Sequence, residues 1–283
     1  MRMTLSSFNR PTRQQPEKAL QRGECQATVI AVAAQKGGVG KTTTTVALAA
    51  AWARFHGKKV LVVDLDPQAH VNVALGDMVH LGGGNLSEVL LDGDCTEIAE
   101  IATKTSIENL DVTPVDPELI RTEQNLTSKI GKELVLKNAL EITRSHYDLI
   151  LLDCPPNIGS LTVNALVAAD HVLIPCNPTA LAVSGVSGLF EVIEEVAQQL
   201  NPWLGVLGVV LTRVDGRNVR TNTAVMDLLE DSWGEMLLPV RVGTSNSLAE
   251  AQLAGRDVHD FAPRSRGATQ YQELAKVILD RIV

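Results

Sequence analysis

Short, almost uninterrupted apolar runs recur along the chain from Thr28 onward. They read "TVIAVAA", "KKVLVVD", "YDLILLD", "DHVLIPC" and "LGVLGVVLT". Each is followed by a helical or turn-rich segment, such as "KTTTTVALAAAWARF" after the first. Continuous apolar runs that alternate with helices are typical of parallel strands buried on both faces. The pattern therefore predicts an α/β fold: a doubly wound, mostly parallel sheet with helices on both faces.

The first 26 residues differ in composition from the rest of the chain. Residues 1–26 carry few apolar side chains and more Arg and Lys than Glu, which predicts a flexible polar arm. The alternative is a short arm that docks onto a partner or onto phosphate. Residues 27–283 are predicted to form one domain, with shorter helices around an "LDVTPV" strand in the less regular stretch from residue 82 to 132.

Composition narrows the class of protein. The 283 residues carry a net charge of −8, which argues against a nucleic-acid coat but leaves room for a local cationic face. The four cysteines show no Cys-x-x-Cys pair, which favours a reducing cytosol. Since no apolar run reaches the roughly 20 residues that cross a bilayer, and no signal-peptide core is visible, we expect a cytoplasmic protein without membrane attachment.

A glycine-rich loop between the first run and the first helical segment predicts a phosphate site. In the pattern Gly-x-x-x-x-Gly-Lys-Ser/Thr, Gln35 stands where the first glycine belongs, and a second lysine, Lys36, lies inside the loop. Amides of such a loop and of the first helical turn converge on phosphate oxygens. The predicted binding residues are Lys36, Gly37, Gly38, Val39, Gly40, Lys41, Thr42 and Thr43.

Within this loop, individual roles follow from side-chain chemistry. The glycines let the backbone approach closely and take positive φ angles. Lys41 is predicted to reach the β- and γ-phosphates, Thr42 to coordinate Mg²⁺, and Thr43 to contact the α-phosphate.

Aspartates follow two of the predicted strands. Asp64 and Asp66 end "VLVVDLD", and Asp153 ends "LILLD". Ligands bind at the carboxyl ends of strands in such sheets, and a carboxylate there can hold Mg²⁺. The competing interpretation is that these aspartates only cap helices.

The motifs "KGGVGKTT", "DLDPQ", "LLDCPP" and "FAPRSRGATQYQELAKVIL" together resemble the ParA/Soj family of partition ATPases, within the MinD/ParA group of deviant Walker A ATPases. The resemblance covers about residues 28 to 283. It implies ATP hydrolysis with Mg²⁺ by a homodimer that sandwiches two ATP molecules.

The same resemblance implies roles for individual residues. Lys36 is the signature lysine that reaches the partner's phosphates, and Asp66 orients the attacking water. Asp153 is the Walker B carboxylate, supported by Asp64 near the metal. The implied adenine contacts are Thr212, Arg213, Pro239 and Val240.

The family's downstream partners are non-specific DNA on the nucleoid and a ParB-like or cargo-adaptor activator. The candidate DNA contacts are Arg217, Arg220, Arg241, Arg264 and Arg266. Acidic residues lie among these arginines, so a solvated face of mixed charge is the alternative. The chain also departs from the family in "LLPVRVGTSNSLAEAQL", where an arginine-rich segment is reduced to Arg241.

Other classes on this fold remain open. A MinD-like membrane-associated ATPase needs an amphipathic C-terminal helix beyond the fold, which "YQELAKVILDRIV" does not add. An iron-sulfur reductase needs two cysteines per subunit at a shared cluster, and a tyrosine kinase of related fold needs a tyrosine cluster. A nucleotide switch without turnover is disfavoured by Asp66.

Overall fold

The structure is a computed structural model that describes residues 26–80, 82–92, 97–179, 182–215 and 219–282. All but the last residue of the predicted arm therefore lies outside the described residues.

A single eight-stranded sheet organises the described chain. Its spatial order is β3-β4-β2-β5-β1-β6-β7-β8, and every neighbouring pair is parallel except β3 and β4. This confirms the predicted mostly parallel α/β fold. The strands are β1 (Thr28–Val32), β2 (Val60–Asp64), β3 (Thr103–Lys104), β4 (Leu110–Val112), β5 (Leu149–Asp153), β6 (His171–Cys176), β7 (Gly205–Val214) and β8 (Leu237–Gly243).

Twelve α-helices accompany these strands in the described residues. They are α1 (Lys41–His56), α2 (His70–Leu75), α3 (Leu86–Asp92), α4 (Ile98–Ile101), α5 (Leu119–Leu126), α6 (Val135–Leu140), α7 (Ser160–Ala168), α8 (Ala182–Gln199), α9 (Val219–Trp233), α10 (Asn246–Leu253), α11 (Val258–Phe261) and α12 (Arg266–Ile282). None of the described helices combines the length and the apolarity that crossing a membrane requires.

The helices bury two apolar cores, one on each face of the sheet. On one face, α1 and α12 pack on the strands with α2, α10 and α11, and Trp52 and Tyr271 lie in this core. On the other face, α3 to α9 cover the sheet, and Phe190 and Trp233 are buried there. Both faces are thus shielded from water, which explains why the central strands are apolar without alternation.

The edge strand β8 was not predicted from the sequence. Leu238, Val240 and Val242 are buried, whereas Pro239 and Arg241 are exposed. Such alternation marks a strand with one open face, and an edge strand is one of the few places in a sheet that tolerate proline. The short polar interruptions that hid this strand are consistent with its place at the end of the sheet.

Candidate active site

The loop between β1 and α1 leads into a helix whose first amides are available to an anion. Gly38 and Gly40 adopt left-handed conformations, with φ of 73° and 88°. Gly40 is the N-cap of α1, no side chain caps the helix, and its first turn holds no acidic residue. An uncapped helix start of this kind presents free N–H groups and the positive end of the helix dipole. It fits the predicted phosphate position.

The two lysines of the loop occupy different environments. Lys41 is buried, with 7% of its surface exposed, whereas Lys36 is exposed. Burial lowers the pKa of Lys41, and the charges of the neighbouring Asp153 and Asp66 oppose this shift. One lysine is therefore buried among the acidic groups of the site, and the other is accessible to solvent.

Asp153 is fully buried at the end of β5, and two threonines of α1 hold it. Thr42 Oγ1 donates to its Oδ2 atom at 2.7 Å, and Thr45 Oγ1 donates to its Oδ1 atom at 2.8 Å. Burial raises the pKa of Asp153 to about 6, although these two hydrogen bonds and the charge of Lys41 act to lower it. Sequence reasoning missed Thr45. Its signal was the three-residue spacing from Thr42, which places both hydroxyls on one face of the helix.

Asp64 lies beside Asp153 in the sheet, as the Cα pairing of β2 with β5 shows. Its Oδ1 atom accepts from the Asp66 amide at 3.0 Å, and its Oδ2 atom accepts from the Val71 amide at 3.1 Å. Burial and the neighbouring Asp153 raise the pKa of Asp64 well above its usual range. The carboxyl thus ties the end of β2 to the start of α2, and its predicted support of a metal stays a prediction.

Asp66 is buried in the turn after β2. Its Oδ1 atom accepts from the Gln68 amide at 3.0 Å, and its Oδ2 atom lies 3.4 Å from Nδ1 of the exposed His70. Ala69, between them, has a φ of 52°. Non-glycine residues rarely take this conformation, and such strain often occurs at functional turns. The turn holds the carboxylate in one orientation.

Three buried carboxyl groups and one buried ammonium group therefore share this end of the sheet: Asp64, Asp66, Asp153 and Lys41. Across the described residues, no group of three or more His, Cys, Asp or Glu side chains is arranged to hold a metal ion alone. Mg²⁺ commonly takes one or two protein ligands and completes its shell with phosphate oxygens and water. The donor set suits such an ion, and the predicted ligands Thr42, Asp64 and Asp153 stay predictions.

The predicted adenine contacts lie on β7 and β8. Thr212 is buried, and its hydroxyl donates to the carbonyl oxygen of Val39 at 2.7 Å, so it supports the phosphate loop directly. Arg213 is exposed with a φ of 52°. Pro239 is exposed on the edge strand, whereas the side chain of Val240 is buried in the core. Of these four residues, Arg213 and Pro239 present side chains to solvent.

The candidate DNA contacts differ in how available their side chains are to a ligand. Arg217 lies outside the described residues, and only the backbone of Arg220 is described, at the start of α9. Arg241 is paired with Glu230 at 3.0 Å. Arg264 and Arg266 are exposed at the start of α12, with no carboxylate within ion-pair distance in the described part of the chain. Of the five candidate arginines, these two are therefore the most available in the described part of the chain.

Two of the four cysteines lie in the described residues. Cys154 and Cys176 are free and buried, at the ends of β5 and β6. Burial raises the pKa of both thiols, that of Cys176 to about 12 despite the charge of nearby Lys36. Buried thiols that stay protonated are poor nucleophiles and poor cluster ligands.

Comparison with known proteins identifies relatives that are named as partitioning proteins. A family model described as an AAA domain matches residues 27–206. Soj, the sporulation initiation inhibitor of Bacillus subtilis, is 38% identical over 88% of this chain and 97% of its own. The chromosome partitioning protein ParA of Caulobacter vibrioides is 35% identical over 89% of this chain and 94% of its own.

Solved structures share the fold. A Mycobacterium smegmatis protein described as cobyrinic acid a,c-diamide synthase, crystallised with ADP and magnesium, is 33% identical with a TM-score of 0.74 over 90% of this chain and 95% of its own. Cyanothece McdA superposes with a TM-score of 0.78 at 22% identity, over 89% of this chain and 99% of its own. The second likeness supports the fold alone.

Proposed function

Because this chain belongs to the ParA/Soj family of ATPases, we propose that it hydrolyses ATP in order to position a cargo. ATP holds two subunits together, the dimer binds non-specific DNA, and hydrolysis releases it. The observation that carries this proposal is the contrast between buried Lys41 and exposed Lys36 in one phosphate loop.

Bound ATP would supply the phosphoryl group that is transferred, and Mg²⁺ would supply much of the positive charge that neutralises its oxygens. The amides at the start of α1 bind phosphate oxygens, and Lys41 neutralises charge on the β- and γ-phosphates. Asp153 orients the Thr42 hydroxyl for the metal through their 2.7 Å hydrogen bond. Asp66 orients the water that attacks the γ-phosphate. Phosphoryl transfer is catalysed mainly by positioning and charge of this kind.

Lys36 serves the second subunit. Its own loop already has Lys41 for the phosphates, and its exposure lets it reach across an interface. A cation supplied from a partner can accelerate phosphoryl transfer by about 10³ to 10⁵. Hydrolysis then depends on dimerisation, so the monomer is slow and the dimer is the state on which an activator acts.

DNA binds through backbone phosphates without sequence reading. Arg264 and Arg266 are the described arginines best placed for this, and the earlier candidates Arg217 and Arg220 remain part of the proposed face. The protein is cytoplasmic and associates with the nucleoid. A ParB-like protein or a cargo adaptor stimulates release, and the cargo is a plasmid, a chromosome origin or a protein assembly.

DNA is favoured over a MinD-like membrane surface by the packing of α12. Leu274 and Ile278 on its apolar side are fully buried against the sheet, so this stripe is not available to a lipid surface. A diamide-forming reaction, named for the M. smegmatis protein, is less favoured because the partitioning relatives are more similar, at up to 38% identity against 33%.

Replacing Asp66 with alanine tests the proposal. Without a group to orient water, the variant should bind ATP and dimerise, yet turn over slowly and stay on DNA. The readouts are phosphate release and retention on a non-specific duplex after ATP is added. A variant that hydrolyses ATP like wild type would refute the role of Asp66. A wild-type protein that never binds DNA with ATP, but sediments with anionic vesicles, would favour the membrane class.

A further inference from the structure

Four consecutive threonines follow Lys41, and the phosphate site accounts for only part of the run. Thr42 and Thr43 are the predicted metal and phosphate contacts, and Thr45 holds Asp153. Thr44 is fully buried and has neither role. A β-branched residue with a hydroxyl is a poor choice for a helix interior unless its hydroxyl has a partner. Thr44 therefore calls for a separate explanation.

The partner of Thr44 is Tyr271 on α12. Thr44 Oγ1 and the Tyr271 hydroxyl lie 3.0 Å apart in a fully buried contact. The Thr44 amide donates to Gly40 at 2.9 Å, so this threonine belongs to the first turn of the phosphate-binding helix. Burial raises the pKa of Tyr271 to about 12, and the Thr44 hydrogen bond and the charge of Arg213 oppose the rise. The phenol is therefore neutral at physiological pH, and either hydroxyl can donate.

A second bond joins the same two helices. Trp52 Nε1 on α1 donates to the carbonyl oxygen of Ala275 on α12 at 2.9 Å. Trp52 lies two turns beyond Thr44, and Ala275 lies one turn beyond Tyr271 on the same side of α12. Since the helices are bonded at two levels in a dry core, a displacement of one is passed to the other.

The start of α12 also contacts residues at the end of β8. Gln270 Oε1 accepts from the Gly243 amide at the end of β8, at 2.9 Å. The guanidinium of Arg266 packs against the same glycine, where an added Cβ would lie 3.4 Å from its Cζ atom. The charge of Arg213, at the end of β7, acts on Tyr271. One helix thus links the phosphate helix, the ends of β7 and β8, and the exposed arginines.

We propose that Tyr271 is a positioning residue that couples the phosphate-binding turn of α1 to the arginines at the start of α12. ATP binding and DNA binding then strengthen each other through the Thr44–Tyr271 hydrogen bond. This inference rests on the proposed function, because it assigns a route for the dependence of DNA binding on ATP. Coupling between two ligands is reciprocal: the factor by which ATP tightens DNA binding equals the factor by which DNA tightens ATP binding.

The test uses Tyr271→Phe, which keeps the ring and removes only the hydroxyl. Tyr147→Phe is the matched control: it removes the chain's other phenol, which bonds Asp111 at 3.0 Å away from α1. For the full chain, the Kd of a non-specific duplex is measured with a slowly hydrolysed ATP analogue and without nucleotide. The Kd of the analogue is then measured with and without DNA, and thermal melting reports folding.

We expect the wild-type and Tyr147→Phe proteins to share one coupling factor. In Tyr271→Phe both ratios should fall together by about fivefold or more, since allosteric couplings are typically 5- to 150-fold. The affinity for the analogue without DNA should change by no more than about twofold. Thr44→Val should give the same loss, and the double variant should lose no more than either single variant.

A coupling factor in Tyr271→Phe and Thr44→Val equal to that of wild type would overturn the inference and leave the proposed function intact. An equal loss in Tyr147→Phe would also overturn it, because the effect would then be general. A wild-type coupling factor of one would overturn the proposed function itself, and this inference with it. If Tyr271→Phe melts far below wild type, Thr44→Val alone decides.

Discussion

Thr45 gives the sharpest test of the site's architecture, because its role depends on a contact that the folded chain creates. Thr45→Val keeps the branched side chain in its buried position and removes only the hydroxyl. The hydroxyl donates to Oδ1 of Asp153 at 2.8 Å and also lies 3.1 Å from the carbonyl oxygen of Lys41 in its own helix, and both contacts are lost. Thr42 still donates to the other oxygen at 2.7 Å, so the carboxylate is loosened but not released.

The magnitude follows from the chemistry of the contact to Asp153. A hydrogen bond to a charged group contributes about 1.5 to 3 kcal/mol. Asp153 is fully buried, and its remaining oxygen has little access to replacement water. Because the proposed function assigns the Thr42 hydroxyl and the Asp153 carboxylate to the metal, this loss should appear mainly in Mg²⁺ affinity. At about 1.4 kcal/mol per factor of ten, we expect Mg²⁺ binding to weaken by roughly 10- to 150-fold.

The assay is an Mg²⁺ titration of nucleotide binding, with a fluorescent ATP analogue, and of phosphate release. Nucleotide affinity in the absence of Mg²⁺ should stay near the wild-type value, and Thr45→Ser should restore most of the Mg²⁺ affinity. Equal Mg²⁺ dependence in Thr45→Val and wild type would refute the claim that Thr45 positions Asp153. A loss that Thr45→Ser fails to rescue would assign the effect to packing instead.

Two further predictions follow from the charges of the structure. Because burial raises the pKa of Asp153 to about 6 in the folded state from 3.8, the ligand-free protein should lose stability as pH rises from about 4 to 6. Asp153→Asn should reduce this loss by on the order of 3 kcal/mol in denaturation at pH 4 and pH 7 without nucleotide, and the raised pKa of Asp64 should leave the remainder. If wild type and variant show the same pH dependence, the buried carboxyl is not its source. Arg266→Glu should weaken DNA binding and reduce the slope of log affinity against log salt by about one unit. Arg241→Glu should have a smaller effect, because Glu230 already pairs with Arg241. Equal effects of the two variants in salt titrations would contradict this ranking.

The central strands were predictable because burial on both faces leaves a signal in each strand alone. The runs "VLVVD" and "LILLD" need no partner to be recognised, and the glycine loop between a strand and a helix is equally local. The edge strand β8 escaped because one of its faces is open and Pro239 interrupts it. This segment forms a strand because it pairs with β7 at the edge of the sheet, and its local sequence pattern does not indicate that pairing.

The same distinction holds in the candidate site. Thr42 and Asp153 were predictable as parts of known motifs, but the bond from Thr45 to Asp153 spans 108 residues of sequence. Likewise, Arg241 is less available to DNA because it pairs with Glu230 on another element, and both carboxylate oxygens of Asp64 accept hydrogen bonds from backbone amides. Candidate residues could be chosen in the sequence from their residue types, whereas the pairing of their side chains required the fold.

The division of labour between Lys41 and Lys36 is the central claim, and sedimentation velocity with ATP tests it most directly. The comparison uses Lys36→Ala and, as a matched control, Lys104→Ala, which removes an exposed lysine from β3 at the far edge of the sheet. With Mg²⁺ and ATP, wild type and Lys104→Ala should sediment as dimers, and Lys36→Ala as a monomer that still binds ATP. An ATP-dependent dimer of Lys36→Ala, as stable as that of wild type, would contradict the account.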